Sequence, residues 1–470
     1  MLKIYNSLTR SVDEFVPIEP GKVRMYSCGP TVYNYQHIGN FRTFFFEDIL
    51  LRVLRYNGFE VKYVMNITDV GHLTSDHDEG EDKMEKTARE KGTSVWEISA
   101  YYTDVFLNDV KLLNIEKPEV YTKATDFIRE QINMVKCLEE KGFTYITRDG
   151  VYYDTSKFPD YTKLARLDVE GMKEGARIEY SDEKKNITDF ALWKFSPKNE
   201  KRQMEWDSPW GKGFPGWHVE CSAMSTAILG NHFDIHCGGI DHLPVHHTNE
   251  IAQSQACTGE KYVNYWLHGE FLNMGDEKMS KSTGKFIRLQ TLIDEGFSPL
   301  DYRYFLLMAH YRKKLKFSME ALNAAKSGYR NLISKIAVLK NSNDGVETDK
   351  EVYEGFKSNF RNAINDDLNM PVAMSVIWDM MRSNGISSND KLELVKDFDK
   401  VFGLNLDQTV KNPIEQIEIP AEIATLAAQR LEAKKAKDFG KADELRDKIK
   451  SLGYEIIDTK EGVSIKKSGS

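Results

Sequence analysis

Lys278 and Lys281 stand three apart in the string Lys278-Met279-Ser280-Lys281-Ser282, with Gly275 before it and Gly284 after it. Two ammonium groups on a loop of small residues can clamp a polyphosphate and engage charge that develops only in the transition state. Taken alone, the same string reads as a solvated lysine hairpin. His37-Ile38-Gly39-Asn40 is a second candidate. A helix starting there offers phosphate its free N–H groups and the positive end of its dipole. His37 adds a donor, Asn40 adds an uncharged one, and Gly39 lets a base or sugar lie against the backbone. By itself the tetrad is also an ordinary capping turn. A third set has metal-ligand chemistry. His246 and Glu250 are four apart, which places them on one helix face, and Cys28 and Cys221 are candidate thiolates. Sulfur, nitrogen and carboxylate oxygen together suit zinc. The spacing is not that of a paired-cysteine motif, and His232, His236, His242 and His247 compete for the same role.

These residues need a frame. Residues 22–28 read as a short buried strand. Residues 37–57 are helical, with Phe41, Phe44, Phe45, Ile49, Val53 and Leu54 along one face, and Gly58 ends the helix. Residues 59–67 make a second buried strand. This β-α-β unit opens a doubly wound parallel sheet, where ligands bind beyond the carboxyl ends of the strands. Cys28 and His37 fall at that place. Residues 96–141 read as helical with a break near Pro118. The stretch 143–195 alternates strand-like runs, at 143–147, 151–154 and 177–180, with turns. Further strands are expected at 233–237 and 263–271, around a helix at 247–257. Beyond Pro299 the chain is mainly helical, with polar linkers at 341–350 and 407–420. The expected class is α/β: a Rossmann-like parallel-sheet domain over 1–110 and 205–285, split by a connective insertion at 110–205. A region at 286–320, an all-α bundle at 320–405 and a small α+β piece at 420–467 follow.

A chain of 470 residues exceeds one hydrophobic core. Its formal net charge of -8 speaks against phosphate binding over the whole surface but leaves room for local basic segments. No apolar run reaches the ~18 residues of a membrane span, and Met1–Asn6 lacks the features of a signal peptide. The expected location is cytoplasmic. The cysteines, Cys28, Cys137, Cys221, Cys237 and Cys257, are odd in number and widely spaced, which does not suggest a disulfide framework. Cys137 and Cys257 read as small buried apolar residues.

The tetrad after a strand and the lysine string far downstream together resemble the class I aminoacyl-tRNA synthetases. The surrounding text narrows this to the cysteinyl-tRNA synthetases. It includes Tyr26-Ser27-Cys28-Gly29-Pro30-Thr31-Val32-Tyr33, Asn66-Ile67-Thr68-Asp69-Val70, Gly216-Trp217-His218-Val219-Glu220-Cys221 and His246-His247-Thr248-Asn249-Glu250, in the family's order. The resemblance implies that ATP activates L-cysteine to cysteinyl-adenylate, and that the acyl group then passes to the terminal adenosine of tRNA(Cys). It implies one zinc ion on residues matching Cys28, Cys221, His246 and Glu250, binding the substrate thiolate and excluding serine without an editing domain. Magnesium accompanies ATP. ATP contacts are implied at His37, Gly39, Asn40, Gly238, Gly239, Asp241, Lys278 and Lys281, the catalytic groups among them being His37, Asn40, Lys278 and Lys281. Thr31 and Trp217 are implied at the amino acid.

The same resemblance assigns the C-terminal half to tRNA. Arg312, Lys313 and Lys314 would lie along the acceptor stem. The 320–405 bundle and the 420–467 piece would meet the anticodon, the latter through Arg430, Lys434 and Lys435. Residues 430–450 hold eight Lys/Arg against five Asp/Glu. A monomer is expected. Three departures stand out: Asn40 where the family usually has histidine, Cys237 where it often has glycine, and a longer, more acidic stretch at 71–82. Two other functions draw on the same residues. One is a related ligase that passes activated cysteine to a small amine-bearing sugar, which the long helical stretch beyond 315 argues against. The other is a zinc-stabilised RNA-binding protein without activity, which the intact lysine string and metal positions argue against.

Overall fold

The computed structural model describes residues 1–71, 82–167, 183–197, 202–274, 286–342, 344–407, 421–435, 438–452, 454–459 and 462–467. The lysine string, the run at 177–180, most of the acidic stretch at 71–82 and most of the 407–420 linker lie outside them. Two units are compact, Met1–Leu404 and Asn405–Ser470.

The first unit begins with a hairpin, β1 (Lys3–Asn6) and β2 (Ser11–Glu14), and then builds its central sheet. The sheet elements are β3 (Lys22–Ser27), α1 (Ile38–Tyr56) and β4 (Glu60–Ile67), followed by α2 (Lys83–Lys91), α3 (Val95–Leu112) and β5 (Val120–Lys123). After α4 (Ile128–Glu140) come β6 (Thr144–Ile146), β7 (Gly150–Tyr153), β8 (Phe190–Phe195) and β9 (Gly213–Pro215), which form a separate antiparallel sheet. The chain returns through α5 (Trp217–Leu229), β10 (Phe233–Gly239), α6 (His246–Thr258) and β11 (Val263–Gly269). Short strands β12 (Leu272–Met274) and β13 (Leu315–Phe317) pair with each other. Helices α7 (Leu289–Asp294), α8 (Pro299–Leu307), α9 (Met319–Lys340), α10 (Lys350–Asn365), α11 (Met370–Arg382) and α12 (Ser388–Phe402) complete the unit.

Five strands in the order β11-β10-β3-β4-β5 make the central sheet, and every neighbouring pair is parallel. Most residues of β3, β4 and β10 are buried, polar ones such as Ser27, Asn66, Asp234 and His236 among them, as in strands covered on both faces. From β3 the chain steps outward through β4 to β5, then returns to the other side of β3 to lay down β10 and β11. Strand order therefore reverses between β3 and β10, and the crevice beyond their carboxyl ends is the binding position of such a sheet.

The structure corrects the sequence reading in two places. A helix broken at Pro118 was expected over 96–141, yet Val120–Lys123 is the edge strand β5 of the central sheet, paired with β4. Proline marks the break here, and the β-branched Val120 and Thr122 that follow it fit an edge strand. The insertion expected to begin at 110 thus contains a strand of the sheet it was meant to interrupt. Cys137 and Cys257, read as separate apolar residues, are joined in a disulfide with Cα atoms 5.6 Å apart. The bond ties α4 to the last turn of α6 across 120 residues of sequence. Sequence spacing carries no information about such proximity.

Helix α1 is buried on nearly every side, including Arg42, Glu47, Asp48 and Arg52. Asp48 is held by Arg303 of α8 (2.6 Å) and by Arg52 (2.9 Å), while its second oxygen accepts from the Glu116 amide. Arg303 also donates to the carbonyls of Phe402, Leu113 and Asn114, so one guanidinium binds α1, the end of α3 and the end of α12. Gly403 ends α12 at φ 62, where a Cβ would sit 2.6 Å from Arg303. Glu47 is different. Neither of its oxygens meets a hydrogen-bond partner among the described residues, and burial holds its carboxyl well above the ordinary 4.5. Burial thus favours its protonated form. Folding takes up a proton at this site, so its contribution falls as pH rises from 4.5 toward the folded-state value. Glu47→Leu should raise stability at pH 7 by about 1–3 kcal/mol and flatten that slope, read as thermal midpoints across pH. A lower midpoint at pH 7 would mean that Glu47 has a partner.

The second unit holds α13 (Ala421–Lys435), α14 (Phe439–Ser451) and the antiparallel hairpin β14 (Tyr454–Thr459) and β15 (Gly462–Lys467). Ile423, Leu426, Ala427 and Ile449 form its small core. No helix among the described residues is long and apolar enough to cross a membrane.

Candidate active site and metal centre

The crevice between β3 and β10 opens into a cavity of about 600 Å3. One wall is the segment from Cys28 to Asn40, which leaves the end of β3 and enters α1. The opposite wall includes Trp217, Cys221, Gly239, Asp241, His242 and His246. The Cys28 amide donates to the Cys237 carbonyl at 3.1 Å, which locks the two strand ends together at the switch point.

The HIGN tetrad forms the expected helix start, and it is at once a cap and part of the cavity. His37 is the N-cap; its Nδ1 accepts from the Asn40 amide (3.0 Å), and Asn40 Oδ1 accepts from the His37 amide (3.1 Å). This reciprocal box satisfies two orphan amides of the first turn. It also fixes the ring. Nδ1 accepts, and burial lowers the imidazole below its ordinary value, so the neutral ring carries its proton on Nε2 and is a donor there. Asn40 likewise keeps its NH2 group as a donor. A Cβ on Gly39 would lie 2.9 Å from the His37 ring, so this position admits no side chain without moving the histidine.

At the deep end, one atom each from Cys28, Cys221, His246 and Glu250 lies within 4.8 Å of the others, and all four residues are buried. A second set, Cys28, His236, His247 and Glu250, satisfies the same distance test. The cavity distinguishes them. Cys28, Cys221 and His246 line it; His236 and His247 do not. His236 Nε2 instead holds the rear oxygen of Glu250 at 2.9 Å, and the Tyr262 hydroxyl donates to the same oxygen at 3.2 Å. The front oxygen, Oε1, faces His246 Nε2 at 3.3 Å. His246 Nδ1 meets His218 Nδ1 at 2.9 Å, so its Nε2 faces the site. His247 is engaged by His268 on Nδ1 and by Cys28 Sγ on Nε2. His236, His218 and Tyr262 are thus orienting partners behind the donors, the usual second layer of a metal site.

The donor chemistry fits a soft divalent cation. Burial pushes both thiols up, and each also faces the charge of Glu250. Burial raises Glu250 too, but His236 and His246 more than offset it and hold the carboxyl below its ordinary value. Burial keeps His246 neutral. Two thiols, a neutral imidazole and a carboxylate, with no lysine or arginine against them in this set, are relieved by a cation that replaces the thiol protons.

The other expected site residues fall as follows. Thr31 and Trp217 line the cavity, and the Trp217 ring lies 4.6 Å from His246. Gly239 and Asp241 line it, whereas Gly238 sits behind the wall, where a Cβ would meet His242 and His247. Lys278 and Lys281 are outside the described residues. Arg312 is committed to Asp367 (2.6 Å) and lies 4.3 Å over Tyr5; Lys313 and Lys314 beside it are exposed. In the second unit Arg430 is buried, Lys434 is half-buried, and Lys435 closes α13. Asn66, Thr68, Lys83 and Glu270 also line the cavity and were not singled out as site residues. Asn66 and Thr68 lay inside a recognised motif; Lys83, in a charged stretch, gave no signal. Cys237 is a fully buried thiol that burial pushes well up, an inert state.

Fold and switch-point site define a class I aminoacyl-tRNA synthetase. The solved structure of Mycobacterium tuberculosis methionyl-tRNA synthetase in complex with methionyl-adenylate is similar, with a TM-score of 0.58 at 14% identity, covering 83% of this chain and 89% of that one. A family model described as the tRNA synthetases class I (C) catalytic domain matches residues 14–327. Cysteine–tRNA ligase 1 of Burkholderia lata is 49% identical, covering 98% of this chain and 96% of that protein. The cysteine–tRNA ligase of Treponema denticola is 47% identical, covering 97% and 98%. The chain belongs to the cysteine–tRNA ligase family.

Proposed function

We propose that the protein joins L-cysteine to tRNA(Cys) in two transfers within the cavity between β3 and β10. A carboxylate oxygen of cysteine attacks the α-phosphorus of ATP, the bond to the bridging oxygen breaks, and pyrophosphate leaves. A ribose hydroxyl of the tRNA's terminal adenosine then attacks the carbonyl carbon, and AMP leaves. Side chains do little covalent work; they position groups and neutralise charge. His37 Nε2 and the Asn40 amide donate to phosphate at the N-terminus of α1, and Lys278 and Lys281 draw the departing pyrophosphate. Gly239 and Asp241 bound the nucleoside side. Thr31 and Trp217 enclose the amino acid. Zinc held by Cys28, Cys221, His246 and Glu250 supplies affinity for a thiolate over a hydroxyl. Serine is nearly the same size as cysteine, and shape alone separates such analogues by only about 1–3 kcal/mol. Magnesium accompanies ATP.

The observation that carries this reading is the buried donor quartet opening into the same cavity as the capped HIGN turn. The remaining assignments belong to the proposal. The antiparallel β6–β9 sheet is a connective insertion, the 286–320 region and the helices to 405 receive the tRNA, and the 420–467 piece meets the anticodon. The protein acts as a cytoplasmic monomer. The test is transfer of labelled cysteine onto tRNA with ATP, magnesium and zinc. Base-labile, acid-precipitable label, not competed by serine, supports the proposal. Label on a small amine-bearing sugar in place of tRNA would shift it to the related ligase.

A further inference from the structure

Beyond Thr31 the cavity is lined by Tyr33 and Tyr35, with Lys83 beside Tyr33. Past Tyr35 it runs on as a surface of tyrosines and cations. The Tyr35 and Tyr101 hydroxyls are 2.9 Å apart, and the Tyr102 ring meets that of Tyr35 edge-on at 5.0 Å. The Arg288 guanidinium lies 4.1 Å over Tyr35, Lys91 lies 4.7 Å over Tyr102, and Lys83 lies 5.4 Å over Tyr33. Tyr101 is 50% exposed, and Trp96 on the same helix is 48% exposed. Packing α3 against the loop requires Tyr102, which is buried; it does not require a half-exposed Tyr101. Acids also stand nearby: Glu97, held ionised by the capping box at Ser94, the exposed Asp104 one turn from Tyr101, and Asp109 beside Arg288, which burial pushes up to about 6.

We propose that this surface receives the unpaired 3′ end of the tRNA on its way to the cavity. The inference rests on the ligase reading above. Three features select this occupant. The surface is continuous with the cavity mouth, and the attacking ribose must enter from the mouth because the deep end holds the amino acid. Single-stranded nucleotides present bases and phosphates alternately, and aromatic faces interleaved with cations match that pattern. Lys83, Lys91 and Arg288 supply positive charge on a chain that is acidic as a whole. The half-exposed Tyr101 offers a ring for stacking, and Arg288 over Tyr35 and Lys91 over Tyr102 supply positive charge to the phosphates.

Tyr101 and Lys91 lie outside the cavity, so their variants separate tRNA handling from activation. Tyr101→Ala should raise the KM for tRNA roughly tenfold, as loss of one stacked base does. Cysteine-dependent ATP–pyrophosphate exchange, which involves no tRNA, should keep its wild-type rate. Tyr101→Phe, which retains the ring, should restore the KM. Lys91→Ala should raise the KM and weaken its salt dependence. Binding provides the direct check. Wild-type protein should bind intact tRNA more tightly than tRNA lacking its 3′-terminal nucleotides, and this truncation penalty should be about tenfold smaller in Tyr101→Ala. An unchanged KM in Tyr101→Ala, or an equal truncation penalty in both proteins, overturns the inference. Absent exchange in wild-type protein would instead count against the ligase reading, and the truncation comparison would still decide this one.

Discussion

Cys221→Ala should strip the protein of its metal and raise the KM for cysteine on the order of a hundredfold or more, the upper end of what loss of an outer-layer partner costs. Cys221 sits on α5 and is one of two thiols in the quartet, so the variant leaves Cys28, His246 and Glu250 as a three-donor set. Its side chain is small and fully buried, so the cavity left behind is minor beside the lost ligand. The KM for ATP should change little, because His37 and Asn40 hold their geometry through their own capping box. Metal content and the two KM values check this. Full metal content in Cys221→Ala would remove Cys221 from the site and favour the alternative set through His236 and His247. In that case His247→Ala, not Cys221→Ala, would lose the metal.

Asp48→Ala should destabilise the first unit by about 3–5 kcal/mol, the cost of stripping a buried ion pair of one partner. Arg303 is fully buried, and its guanidinium meets the Asp48 carboxylate at 2.6 Å. Burial raises the Asp48 carboxyl, but Arg303 and Arg52 more than offset this and hold it below the ordinary 3.8. Its contribution is therefore present above pH 3.8 and fades as pH falls through the lower folded-state value. Asp48→Ala with Arg303→Met should lose less than the sum of the single changes, because the second removes the charge orphaned by the first. Thermal midpoints of the three variants settle the point. An unchanged midpoint in Asp48→Ala would mean that Arg303 is satisfied without Asp48.

Helical period along one apolar face made α1 legible, and short β-rich runs beside glycine turns did so for β3, β4 and β10. Periodicity missed β5, since four residues after a proline give too short a pattern to separate from a broken helix. It also said nothing of Arg42, Asp48 and Arg52 being buried. Those side chains look like a solvent face until distant segments close on them, α8 and α12 on Asp48 and Arg52, and the carbonyls of Phe271, His310 and Lys313 on Arg42. The metal quartet was legible only through long motifs. From spacing alone His236 and His247 competed equally, and three-dimensional access to the cavity separates them. The tyrosine surface escaped notice because Tyr35, Tyr101 and Arg288 come from three distant stretches, each ordinary by itself.

The central claim is that a buried metal selects cysteine by its thiolate. Cobalt substituted for the native metal reports this directly. Adding cysteine to the cobalt-loaded protein should increase thiolate-to-cobalt charge-transfer absorbance, and serine at the same concentration should leave the spectrum unchanged. No response to cysteine in folded, cobalt-loaded protein, or the same response to both amino acids, would contradict the account.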